Sequence, residues 1–81
     1  MPLQKSWQSL DRETVSSVPD RPGVYELGDE SGTVVSIDYG PLQDDLKSAL
    51  AYGDDDRVRW TTTHTIEQAR ELAAEHRDRL E

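Results

Sequence analysis

Two groups of residues in this chain could do chemistry. Tyr25 stands in an apolar run, Val24-Tyr25-Glu26-Leu27, where a phenol can donate a hydrogen bond or pass a proton. Arg57, Arg59, Trp60 and His64 fall within one short segment, and Tyr39 lies upstream of them. Cations, an aromatic face and an imidazole are the groups that hold a nucleic-acid backbone and stack on its bases. Each also has a plainer use: Tyr25 as an aromatic anchor of a strand, Trp60 as sheet cover, Tyr39 and Tyr52 as packing beside a helix. Asp54-Asp55-Asp56 suggests calcium or magnesium. Calcium loops, however, space their ligands at alternate positions and close with a bidentate carboxylate, so a consecutive run reads as a solvated acidic loop. His64 and His76 are the only histidines, and nothing partners His64 at ligand spacing. His76 falls on the apolar side of its segment and reads as a packed residue. Neither a glycine-rich phosphate loop nor a nucleophile elbow is present, and with no cysteine the chain has no disulfide framework or thiolate zinc site.

The elements that must position these residues come from pattern and punctuation. Asp11 is placed to cap a short helix over residues 11–18, with Leu10, Val15 and Val18 inward and Pro19 as its stop. Asp20-Arg21-Pro22-Gly23 is a turn into a first strand, residues 24–27. Gly28-Asp29-Glu30-Ser31-Gly32 is a hairpin loop leading to a second strand, residues 33–38. Alternation puts Tyr25 and Leu27 on one face and Val24 and Glu26 on the other. Val35 and Ile37 are the expected core positions of the second strand, with Val34 and Ser36 opposite. Gly40-Pro41 opens a helix with proline at its first position, Leu42, Leu46, Ala49 and Leu50 as its buried stripe and Gly53 as its cap. Residues 57–62 read as a third strand, Arg57 and Arg59 sharing one face. Thr65 and Gln68 make a capping box for a last helix whose inner stripe is Ile66, Ala69, Leu72, Ala73, His76 and Leu80. A helical crossover between the second and third strands makes them parallel to each other and leaves room for the first between them. The expected fold is α+β: a three-stranded mixed or antiparallel sheet, second–first–third, flanked by helices.

Eighty-one residues make a single domain with a small core, residues 1–9 joining it loosely through Trp7. Seventeen acidic residues face nine basic ones, for a net charge of −8. Aspartate exceeds glutamate ten to seven, and arginine exceeds lysine seven to two. This balance resembles that of proteins from salt-loving archaea, where screening relieves the self-repulsion. Nucleic-acid binding normally shows a basic patch, so the charge counts against such a partner. No apolar run is long enough to span a bilayer or form a signal core, which gives the expectation of a cytoplasmic protein without membrane contact.

The run Pro22-Gly23-Val24-Tyr25, followed by Ser36-Ile37-Asp38 on the next strand, resembles the paired motif that opens the GIY-YIG nuclease domain. The resemblance extends over element order to the end of the chain and implies the same sheet. It also implies a metal-dependent phosphodiester site with two tyrosines, a helix arginine and a metal-binding glutamate. Carried over by position, Tyr25 is retained. Ser36 stands for the second tyrosine, Asp45 for the arginine and Ala73 for the glutamate, with Glu71 and Glu75 close by. What the resemblance leads to is a non-catalytic binding or interaction domain of a salt-adapted cytoplasm, without a cofactor, acting on a protein partner or on itself. The competing expectations are a divergent DNA endonuclease using Mg2+ or Mn2+, and a non-cutting nucleic-acid-binding accessory using Arg57, Arg59, Trp60 and His64.

Overall fold

The computed structural model describes residues 6–53 and 55–80, with residues 79 and 80 as backbone alone. The expectations placed on residues 1–5, on Asp54 and on the Leu80 side chain fall outside them. In chain order the elements are β1 (Gln8–Ser9), α1 (Arg12–Ser16), β2 (Pro22–Gly28), β3 (Val34–Pro41), α2 (Leu42–Tyr52), β4 (Arg57–Thr62) and α3 (Ile66–Leu80). The result is a small α+β fold with one sheet in the order β1-β4-β2-β3, every neighbouring pair antiparallel. The hairpin-plus-crossover argument yields β3, β2 and β4 in this order. The sheet has four strands rather than three, because residues 8 and 9 pair with Val58 and Arg57 along the outer side of β4. Two residues are too short for any alternation to announce them.

Each face of the sheet carries its own core. Tyr25, Leu27 and Val58 point to one face and pack with Val15, Val18, Leu42 and Leu46, from α1, the segment after it and α2. Leu42 and Leu46 are fully buried, each contributing about 2 kcal/mol of transfer free energy. On the other face Val24 and Ile37 meet Ala69 and Ala73 of α3, with Val34, Tyr39 and Leu72 at the margin. The alanines let α3 lie close on the strands. Gly23 has the same use on β2, since a Cβ there would overlap the Thr61 carbonyl and Leu42.

Four local expectations are corrected. Val35 is 57% exposed rather than core. The register steps from Leu27↔Ser36 to Gly28↔Val34, so Val35 is the unopposed residue of a β-bulge and Val34 takes the inward place. Pro41 does not begin the helix but ends β3 and caps α2, the strand running straight into the helix. Ile66 and Tyr52, expected to pack, are 43% and 91% exposed. Elsewhere the caps form as expected. Asp11 Oδ1 accepts from Thr14 N at 2.8 Å, satisfying one of the first helix's exposed donors, and the helix itself closes at Ser16. Thr65 Oγ1 accepts from Gln68 N, while the Gln68 side chain turns back to His64 N.

Candidate functional site

Tyr25 sits in the middle of β2, the central strand, 8% exposed, and faces α2. Its cross-strand neighbours are Asp38 on β3 and Trp60 on β4. Because β3 feeds directly into α2, the first turn of that helix folds back over the strand end and places Asp45 beside the phenol. Tyr25 Oη donates to Asp45 Oδ2 at 3.3 Å. Gly40 makes the approach possible. Its φ is +152°, and a Cβ there would overlap the Asp45 carboxylate.

The charges around the phenol are mostly of one sign. Burial holds the Tyr25 proton well above its ordinary pKa, and the negative charges of Asp45 and Asp38 raise it further. Burial likewise raises Asp45, and Asp38 and Asp44 add to the effect, while the hydrogen bond from Tyr25 opposes it. The nearby cation is Arg77, which reaches this place from α3 on the opposite face. It passes round the outer edge of β3, donates from Nε to the Ile37 carbonyl at 2.9 Å, and sets Nη2 3.5 Å from Asp38 Oδ1. Read from the sequence, Arg77 groups with the outer-face charges Glu67, Arg70, Glu71, Glu75 and Asp78, a placement its contact with the Ile37 carbonyl corrects. The signal that could have found it is its spacing, four residues beyond Ala73 and eight beyond Ala69, on the row that faces the sheet.

The remaining sequence candidates are spread over the molecule. Ser36 is exposed beside Leu27. Ala73 is buried under Val24 and Ile37, across the sheet from Tyr25. Tyr39 packs at the margin of that same face. Trp60 packs against the opposite core. Arg57 gives its guanidinium to the Glu30 carbonyl, from Nη2 at 3.1 Å. Arg59 pairs with Glu26, a fully buried carboxylate directly across the ladder, and lies 4.0 Å from the ring centroid of Trp7. Trp7 in turn occupies the space left by Gly28, where a Cβ would meet the indole at 2.7 Å. The burial of Glu26 was not foreseen, since an acid alternating with valine ordinarily faces water. His64 is exposed in a groove of about 340 Å³ with Glu71, Glu75 and Thr63. His76 is half-buried and its Nδ1 has no hydrogen-bond partner. Among the described residues no three His, Cys, Asp or Glu side chains are arranged to hold a metal ion.

A phenol bonded to a carboxylate, with two more acids near it, can hold a proton but presents a hostile surface to a phosphate. Two like charges about 5 Å apart repel by about 3 kcal/mol at an effective dielectric of about 20. One arginine, already bonded to a backbone carbonyl and to Asp38, stands against the three acids.

The chain belongs to a family described as a domain of unknown function, DUF7508, whose model matches residues 1–79. No curated protein and no solved structure matches it significantly. No helix among the described residues is long and apolar enough to cross a membrane.

Proposed function

We propose that this chain is a non-catalytic relative of the GIY-YIG nuclease domain that works by binding, to a protein partner or to a second copy of itself, in a salt-rich cytoplasm. The observation that carries the reading is the seat of Asp45. The resemblance puts a phosphate-binding arginine at that position, and the structure has a carboxylate there, bonded to the one retained tyrosine. The order of strands β3-β2-β4 supports the same kinship. The engagement of Arg57 and Arg59 in contacts within the chain weighs against their use on nucleic acid.

Incubation with supercoiled plasmid and branched DNA, with magnesium or manganese, in dilute and in molar potassium chloride, is expected to give no cleavage. Cleavage that disappears in Tyr25→Phe would overturn the reading. Gel shifts with single- and double-stranded DNA should likewise show no retained complex. For the salt-rich setting, helical ellipticity is expected to rise from dilute buffer to molar potassium chloride as screening relieves the net charge of −8; a flat response counts against it.

A further inference from the structure

We infer that Asp38 and Arg77 form a built-in clamp that shuts the free margin of β3 against the β3 of a second copy. This rests on the binding-domain reading and names a surface that self-association does not use. Along an outer strand, alternate residues turn their N–H and C=O away from the sheet. On β3 these are Ile37, Tyr39 and Pro41, since the Ile37 carbonyl and the Tyr39 amide both meet side chains rather than β2. Each position is closed by its own means. Arg77 donates to the Ile37 carbonyl from Nε, at 2.9 Å, and again from Nη2. Asp38 Oδ1 accepts from Tyr39 N at 2.9 Å. Arg77 Nη2 lies 3.5 Å from that same Oδ1, so the two side chains brace each other. Pro41 has no N–H to offer. Upstream, the bulge at Val35 breaks the spacing of the outward groups.

A second β3 laid antiparallel on this margin seeks both the N–H and the C=O of each outward residue. At Ile37 the C=O is taken, and at Tyr39 the N–H is taken. Sliding the register by two residues only exchanges Ile37 for Tyr39, and the next step meets the proline. No register therefore recovers a full pair at these three positions. The ion pair itself gives the fold little. The Asp38 and Arg77 side chains are 54% and 50% exposed, and a charge pair in that setting adds little stability. What the arrangement changes is the bonding capacity of the margin. The intruder it meets in a solution of the protein is an identical copy, whose outer strand has the same length and pattern.

Asp38→Ala/Arg77→Ala removes both halves of the clamp and leaves Pro41 and the bulge in place. In molar potassium chloride the double variant is expected to self-associate at least about tenfold more tightly than the wild-type chain, read by sedimentation. As its concentration rises, the Ile37 amide should become protected from hydrogen exchange. The wild-type Ile37 amide should gain no such protection, whether or not the chain associates through another surface. A second measurement needs no association: the wild-type Tyr39 amide proton should resonate downfield of its position in Asp38→Ala, as a donor to a carboxylate does. Circular dichroism checks that the variants stay folded, which the exposure of both side chains favours. A double variant that associates no more than the wild type overturns the inference. So does association that leaves the Ile37 amide exchanging as before, a wild-type chain that protects this amide with concentration, or a Tyr39 amide unmoved in Asp38→Ala. None of these results touches the absence of cleavage, and cleavage of DNA would overturn the non-catalytic reading alone.

Discussion

The two faces of the sheet each bring a carboxylate close to an aromatic ring, and they treat it in opposite ways. On the α3 face Glu26 is wholly buried and meets the Arg59 guanidinium, itself covered by Trp7. On the α2 face Asp45 is half-buried and meets a phenol hydroxyl with Asp38 and Asp44 nearby. Burial costs a charge several kcal/mol unless a partner and hydrogen bonds offset it. Glu26 has that compensation and can sit inside the protein. Asp45 has less of it and remains near water, its proton affinity raised. The fully desolvated acid thus has an arginine directly paired with it, whereas the phenol pocket is left mostly negative.

The comparison breaks most visibly at Arg59. Arg59→Met takes the guanidinium from a buried carboxylate and should cost about 3 kcal/mol in urea unfolding, with part of the loss recovered in Glu26→Gln/Arg59→Met. Trp7→Ala removes the ring stacked on that guanidinium and opens the space over Gly28, for a loss of about 2 kcal/mol. On the other face, Gly40→Ala forces an L side chain into a positive φ and against Asp45, costing about 1–2 kcal/mol. Its signature is that Tyr25 fluorescence or titration shifts with it.

The smallest effect is the most diagnostic. Asp45 has a folded pKa above its ordinary 3.8, because burial, then Asp38 and Asp44, disfavour the charge. The native state thus binds this proton more tightly than the unfolded chain. Stability falls as pH rises from about that ordinary value through the raised one. Asp45→Asn should remove this decline and leave the protein more stable at neutral pH, by about 0.5 kcal/mol or less after solvent screening. Asp29 runs the other way. The Ser31 hydroxyl, then the Thr33 amide, lower its pKa, so its contribution is present above its ordinary value and is lost in acid. In parallel pH titrations of stability, Asp45→Asn and Asp29→Asn should change the wild-type slope in opposite directions.

Much of this architecture is written in local pattern. The hairpin follows from Gly28 to Gly32 between two β-branched runs, and the central position of β2 follows from the helical crossover through α2. The stripe Leu42, Leu46, Ala49, Leu50 is buried or half-buried as its spacing requires. What escaped the pattern depends on partners distant in the chain. Val34 and Val35 are the same residue type, and only the register against Gly28 decides which turns inward. Glu26 looks solvent-facing until Arg59 is placed across from it. Tyr25 and Asp45 could be named from the sequence, but their direct bond depends on the backbone at Gly40. Arg77 joins them round the outer edge of β3; its spacing from Ala69 and Ala73 puts it on the sheet-facing row, but the strand edge it reaches is set by the packing of α3 on the sheet.

Arg77 also settles how the sheet ends. β3 is an outer strand, and the Ile37 carbonyl is one of the groups a neighbouring strand would use to dock. The guanidinium occupies that oxygen and adds a fixed positive charge at the rim, while the bulge at Val35 bends the remaining length out of register. Shortening α3 by its final turn would strip this guard and leave a bare template for strand addition. Loss of the helix end is therefore expected to favour edge-to-edge association in concentrated solution, read as a rise in thioflavin T fluorescence.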